Sequence, residues 1–280
     1  MMKFFKLACN AALAMAVALV MGCASTPVSD YQPQRGQTGK DVIWIPTSPE
    51  LVTRMLNMAK VSNQDIVYDL GAGDGIIAIT AAKQFGARAF GIEYNPQMAL
   101  HAQSNARIAG VADKVSIRQG DIFEEKFDEA SVVTMYLLPH LNLKLRPTLL
   151  KMKPGTRIVS HAFDMGEWEP DDRVGFDYAS AYLWVVPSAV QGQWTLQEVD
   201  SSAQSVLEIE QIFQRIGGTI TERGHKSPLL GAQLRGDKIA FQYVGADQQL
   251  RSVTAQVSGK RMQGVMTLQG GQLPIEATRP

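Results

Sequence analysis

The stretch Val67-Tyr68-Asp69-Leu70-Gly71-Ala72-Gly73-Asp74-Gly75 decides the fold. It reads as an apolar strand with an acid near its end, followed by a turn with glycine at every second position. Glycines adopt torsions that other residues resist and let the backbone approach a ligand closely, and a helix opening after such a turn offers unpaired N–H groups at its start. That geometry suits a nucleotide-like ligand. The dinucleotide fingerprint needs Gly-x-Gly-x-x-Gly, whereas this chain has Gly-x-Gly-x-Gly with Asp69 two residues before the first glycine. An acid there would repel a pyrophosphate, but it can accept a hydrogen bond from an ammonium group.

On these residues the segment resembles motif I of the class I S-adenosylmethionine-dependent methyltransferases. Working outward, Ala87 to Ile92 forms a second short apolar strand ending in Glu93, 22 residues after Gly71. Carboxylate oxygens accept hydrogen bonds from both ribose hydroxyls, so this acid reads the sugar of a dinucleotide or of S-adenosylmethionine alike. Val115 to Arg118 reads as a third strand, and Gly120-Asp121-Ile122 follows it. The resemblance assigns Asp121, with Ile122 beside it, to the adenine. Taken by itself, Asp121 equally caps a turn before Phe123.

The alternation continues on both sides. Ser48, Pro49 and Glu50 make an N-cap, a first helical residue and a favourable first-turn acid for a helix to about Lys60, with Leu51, Val52, Met55, Leu56 and Ala59 on its buried face. Strands are expected at 66–70, 88–92, 115–118, 132–135 and 156–161, and helices at 76–85, 96–109 and 143–150. This is an α/β doubly wound, Rossmann-like sheet. From about Ala181 the chain turns to short β-prone runs broken by Gly, Pro and Asp, with Gly217-Gly218, Gly236-Asp237 and Gly270-Gly271 as expected turns. The expectation is a methyltransferase domain over 42–180 and a mostly antiparallel β extension over 181–280, as a meander or small barrel. Strands near Tyr182 to Trp194 alternatively complete the first sheet. Trp184, Trp194, Phe213, Phe241 and Tyr243 are expected in cores.

The first residues carry a different message. Lys3 and Lys6 precede a stretch from Leu7 to Met21 that is apolar except for Asn10, the pattern of a signal peptide. Val20-Met21-Gly22-Cys23 resembles the lipobox of bacterial lipoproteins, which implies lipidation at Cys23, a signal over 1–23 and a flexible tether over 24–41. An ordinary cleaved signal and an uncleaved N-terminal anchor are the alternatives. Ala24 after the Cys points, by lipoprotein sorting, to the outer membrane facing the periplasm, with inner-membrane anchoring as the other reading. The only cysteines are Cys9 and Cys23, so the folded part has no disulfide framework.

The chain of 280 residues, 45% hydrophobic, suffices for a large core with a satellite. Lys plus Arg equals Asp plus Glu at 27 each, without a long basic run, so the electrostatic footprint of a nucleic-acid binder is missing. Four histidines and no cysteine in the folded part give no metal-ligand spacing.

Methyl transfer from a sulfonium needs alignment and an unprotonated nucleophile more than covalent help. The family's acceptor-facing segment follows the fourth strand, here Met135-Tyr136-Leu137-Leu138-Pro139-His140-Leu141-Asn142. It lacks the Asn-Pro-Pro-Tyr pattern of enzymes that methylate DNA bases or glutamine amides. Its apolar, aromatic character suits a lysine amine, whose neutral form desolvation favours, or a small acceptor with an apolar tail. Tyr136 and His140 are its candidates for orienting the acceptor; both also make sense as plain structure. His101 is placed on a helix surface, and His161 at the ligand edge of the sheet.

Ile45-Pro46-Thr47-Ser48-Pro49-Glu50-Leu51-Val52 with motif I and Gly91-Ile92-Glu93 is similar to the lysine methyltransferases acting on mitochondrial membrane proteins, over about residues 42 to 165. The likeness implies that Thr47 closes over the cofactor near its methionine end; a helix-entry loop is the alternative. The cofactor set is then Thr47, Asp69, Gly71, Ala72, Gly73, Glu93, Asp121 and Ile122. The leading expectation is N-methylation of an amine on a protein lysine or a small molecule, with S-adenosylmethionine as cofactor. The other is a catalytically silent, membrane-tethered lipoprotein that uses the fold as a binding or scaffolding module. S-adenosylmethionine is made in the cytoplasm, so export weighs against the first expectation, and a cytoplasm-facing anchor resolves that conflict.

Overall fold

The computed structural model describes residues 31–176, 179–199 and 203–280. The signal-like segment, Cys9, Cys23 and the start of the tether lie outside the described residues.

Five parallel strands, β1 (Ile66–Leu70), β2 (Arg88–Glu93), β3 (Val115–Gln119), β4 (Val132–Met135) and β5 (Arg157–His161), are joined by β6 (Asp172–Phe176) and β7 (Ala179–Val185) in the order β3-β2-β1-β4-β5-β7-β6. β7 runs antiparallel to both neighbours. The expected doubly wound sheet is therefore present. The expected change of character near residue 181 falls inside β7, which pairs with β5; the second sheet begins at Gly192.

Helix starts follow the capping residues. Ser48 Oγ accepts from Leu51 N at the start of α1 (Pro49–Met58), and Asn95 Oδ1 accepts from Gln97 N and Met98 N at the start of α3 (Pro96–Ile108). Between them α2 (Ile76–Phe85) opens directly on Gly75. The fourth helix, α4 (Pro139–Leu149), starts four residues earlier than the sequence suggests. Its first residue is Pro139, whose fixed φ favours that position, while Leu138 gives no capping side chain to mark the boundary.

The apolar faces of α1, α2 and α3 bury one side of the sheet around Leu56, Val67, Ala78 and Ala102. α4 buries the other, where Leu145, Trp168 and Trp184 pack. β1 lies between β2 and β4, so the strand order reverses there, and the crevice at the carboxyl ends of the strands is where such sheets bind ligands.

The C-terminal sheet has nine antiparallel strands, β8 (Gly192–Glu198), β9 (Gln204–Ile212), β10 (Arg215–Glu222), β11 (His225–Pro228), β12 (Leu230–Arg235), β13 (Lys238–Val244), β14 (Leu250–Ser258), β15 (Arg261–Leu268) and β16 (Gly271–Thr278). Its two edge strands, β11 and β12, are consecutive in the chain. Leu229 N, between them, donates to Gly218 O on β10, while Leu230 pairs with Gln242 on β13. The sheet thus curls until its two ends come together in a barrel-like form. Alternate residues such as Val253, Ala255 and Val257 point inward onto Trp194, Phe241 and Tyr243.

Two of the expected turns behave differently from each other. Gly236-Asp237 turns β12 into β13 as expected, but Gly217-Gly218 lies inside β10. A side chain at Gly218 would collide with Glu208 O on the neighbouring strand, so the glycine serves close approach. The tip of the β9–β10 hairpin rests on the first unit: Phe213 stacks on Trp168 with centroids 6.1 Å apart, and Gln214 Nε2 donates to Glu169 O at 2.6 Å. Among the described residues no helix is long and apolar enough to cross a membrane.

Candidate functional site

β1 ends in Asp69 and Leu70, with Asp69 only 2% exposed, and the chain then passes through Gly71, Gly73 and Gly75 at φ 78°, 54° and 82°. Only glycine takes these torsions without strain. Gly71 N and Ala72 N both donate to Ile92 O at 2.9 and 3.0 Å, which ties the turn to the end of β2. Gly73 N donates to Glu93 Oε2 and Asn95 N to Glu93 Oε1, each at 2.9 Å. Two backbone donors thereby fix the Glu93 carboxylate, whose remaining lone pairs stay available for hydroxyl donors.

Asp69 sits in an unusual field. Thr134 Oγ1 donates to its Oδ1 at 2.7 Å. Burial pushes its carboxyl up to about 7, and the acids Asp74 and Glu93 add to the rise. A buried carboxylate among acids is stabilised by a cation brought next to it. The glycine cradle and this acid therefore fit a ligand that is nucleoside-like along the turn and ammonium-bearing at Asp69.

At the far end, Asp121 Oδ1 accepts from Phe123 N at 3.0 Å, so the residue does cap its turn. Its Oδ2 takes the Lys40 ammonium at 2.6 Å, which holds the carboxyl below the usual carboxylate range. Lys40 belongs to a small hairpin in which Gly36 N donates to Trp44 O and Trp44 N to Gln37 O. The hairpin lies over the cavity as a strap. The Trp44 indole covers Gly73 so closely that a Cβ there would come within 2.6 Å of Nε1.

The strap ends at Thr47, 6% exposed, whose Oγ1 lies 3.1 Å from His161 Nδ1. The His161 ring stacks on Tyr136 at 3.7 Å between centroids, with Phe163 6.4 Å from Tyr136. Burial pushes the His161 imidazole down to about 4, and it raises the Tyr136 phenol while Arg35 acts in the opposite sense. At neutral pH the imidazole carries no charge and the phenol keeps its proton.

The structure brings Thr47, Asp69, Gly71, Ala72, Gly73, Glu93, Asp121, Ile122 and Tyr136 to one cavity. His140 is a correction: it is exposed in the first turn of α4 and does not line the cavity, and the imidazole that meets Tyr136 is that of His161. Lys40, Trp44, Thr134 and Phe163 are additions that sequence reasoning missed. A lysine at the end of the polar tether and a tryptophan just after it, Lys40 and Trp44, were the available signal for the strap; Thr134 and Phe163 gave none. Among the described residues no cluster of His, Cys, Asp or Glu could hold a metal ion.

Comparison with known proteins agrees with this geometry. Residues 69–172 match the family model described as the ANTKMT methyltransferase domain. A protein-lysine N-methyltransferase of Saccharolobus islandicus is 45% identical over 151 residues, 52% of this chain and 94% of that protein. The mouse adenine nucleotide translocase lysine N-methyltransferase is 34% identical over 111 residues, 39% of this chain and 48% of its own length. A solved structure, described as an RNA methyltransferase from Salinibacter ruber in complex with S-adenosyl-L-homocysteine, is 50% identical over 52% of this chain and 96% of that one, with a TM-score of 0.51. The family match ends before the C-terminal barrel begins.

Proposed function

Because this chain belongs to the family of S-adenosylmethionine-dependent methyltransferases, we propose that its acceptor is the side-chain amine of a protein lysine. The observation that carries the site assignment is Asp69, a buried acid among acids beside the glycine turn. In this reading Asp69 accepts a hydrogen bond from the ammonium of the methionine moiety. Glu93, held by Gly73 N and Asn95 N, takes the ribose hydroxyls. Asp121 and Ile122 face the adenine, and Thr47 closes over the methionine end.

S-adenosylmethionine supplies a methyl carbon on a sulfonium. When bound it would give that methyl to the amine nitrogen, with the sulfur leaving as a neutral thioether and the amine proton going to solvent. The chain's own work is to align and desolvate. Tyr136 and Phe163 give an aromatic wall, and removing water from a lysine amine favours its neutral, nucleophilic form. In this reading the Tyr136 hydroxyl, whose proton burial helps to retain, orients that amine.

The lysine acceptor is supported by the archaeal and mouse relatives, both described as lysine N-methyltransferases. The balanced charge of the chain, with 27 basic and 27 acidic residues, favours a protein over RNA. The reading also places the protein in a bacterial cell envelope, held by a lipidated Cys23. Incubating the chain with methyl-labelled cofactor and separated envelope protein, soluble protein and RNA tests the acceptor. Label on lysine of a protein supports the proposal; label on RNA alone, or none with a chain that binds the cofactor, overturns it. Palmitate labelling that survives Cys23→Ser would overturn the tether.

A further inference from the structure

The acceptor wall and the strap are joined through a single ring. His161 sits at the end of β5, 6% exposed, with its edge on Thr47 Oγ1 and its face on Tyr136. The turn that aims it is specially built. Ala162 follows with φ 67°, in the left-handed region that a non-glycine residue enters only at an energetic cost. Phe163 N donates to His161 O at 2.9 Å, and Ser160 Oγ donates to Phe163 O at 2.7 Å. From α4 the buried Asn142 amide donates to Ser160 Oγ, Phe163 O and Asp164 O at 3.1 to 3.2 Å. Strain of this kind persists only where surrounding bonds over-determine it.

An apolar side chain would fill this buried place without leaving a ring nitrogen to satisfy. The nitrogen is satisfied by one hydroxyl, and that hydroxyl comes from the strap, 114 residues away. The face of the ring sets the plane of Tyr136.

Resting on the methyltransferase reading above, we infer that His161 is a positioning residue: its ring latches the strap at Thr47 and, by the same placement, orients Tyr136 for the acceptor. Closing the strap over the methionine end and ordering the acceptor wall are then one event. His161 does not take the amine proton in this arrangement, because burial keeps it a weak base.

The test uses the full chain with Thr47→Val, His161→Phe, the double variant, and His161→Asn, whose amide restores a polar partner for Thr47. Trp44 reports strap closure without any ligand, since Trp168, Trp184 and Trp194 are fully buried and Trp44 is not. Acrylamide quenching of Trp44 is expected to rise in Thr47→Val and His161→Phe to the same extent, to rise no further in the double variant, and to return toward the wild-type value in His161→Asn, with melting temperatures close to wild type. S-adenosylhomocysteine affinity, measured by calorimetry, is expected to fall about three- to tenfold in each single variant and no further in the double. Quenching unchanged from wild type in both single variants, or single effects on quenching that add in the double variant, overturns the latch. A wild-type chain that binds no S-adenosylhomocysteine while the quenching pattern holds would overturn the site assignment and leave the latch standing.

Discussion

The Lys40 ammonium lies 2.6 Å from Asp121 Oδ2, so a residue of the N-terminal strap is clamped to the loop after β3 across 81 positions of sequence. It also sits 5.0 Å above the Tyr94 ring. The acid assigned to the adenine end is thus already paired with a strap cation. Lys40 is exposed, with 40% of its side chain open to solvent, so the pair is screened by salt and weak. Lys40→Met is expected to reduce S-adenosylhomocysteine affinity by no more than about fivefold at low salt. The difference should shrink as salt is raised from about 0.01 M to about 1 M, over which the screening length falls from roughly 30 to roughly 3 Å. A loss that is equally large at high salt would show that Lys40 acts through something other than this pair.

Gly73 faces the Trp44 indole at a distance that leaves no room for a methyl group, and its φ of 54° resists replacement as well. Gly73→Ala should expel the indole from the turn. The expected result is loss of cofactor binding with a red-shifted, more quenchable tryptophan signal, because the other three tryptophans are buried. Trp44→Ala in the same background relieves the collision but not the torsional strain, and should restore binding only in part. Binding retained by Gly73→Ala would mean that the strap does not lie over the turn.

Asp69 gives the site a pH dependence whose sign follows from the direction of its shift. Its folded carboxyl titrates at about 7 against 3.8 in the unfolded chain. Between those values the folded state holds the extra proton, so stability declines as pH rises from about 4 to about 7 and is level above. Asp69→Asn removes this burden and should raise the melting temperature at about pH 8 by a few degrees, with the gain vanishing near about pH 4. The same variant should lose cofactor binding. Wild-type affinity for S-adenosylhomocysteine should rise from about pH 6 to about pH 8, since the ionised form is the one that receives an ammonium.

Thr134 supplies the hydroxyl donor that favours the ionised form of Asp69. Thr134→Val should therefore move the rise of affinity with pH to a higher value without altering affinity at its upper plateau by more than about threefold. A pH profile identical to wild type would show that the bond does not tune the acid.

The barrel should be separable from the first unit. Phe213, held at φ 55° on the β9–β10 hairpin tip, stacks on Trp168 and lies 5.7 Å from the Arg146 guanidinium. Phe213→Ala removes a half-buried aromatic contact and should lower stability by about 1–2 kcal/mol. Differential scanning calorimetry is expected to give one transition for the wild type and two for the variant, with the barrel transition unmoved.

What the sequence by itself determined was local and periodic. Glycine spacing after an apolar strand, an acid at each of two strand ends, and the cap Ser48 follow from torsional freedom, hydrogen-bonding capacity and repeat length within a few residues. They specify the doubly wound sheet and gather one set of residues at its switch point. Tertiary structure decided what depends on partners far away in the chain. It set the Lys40–Asp121 clamp, the Thr47–His161 contact and the Thr134–Asp69 bond, because each joins side chains separated by 65 to 114 positions. It turned His140 to solvent, since the helix begins at Pro139 without a capping side chain to announce it. It also closed the barrel, placing Gly217 and Gly218 within a strand where a neighbouring carbonyl excludes a side chain at Gly218. Composition shows that a glycine is needed; only the packed neighbour shows whether the need is a turn or close approach.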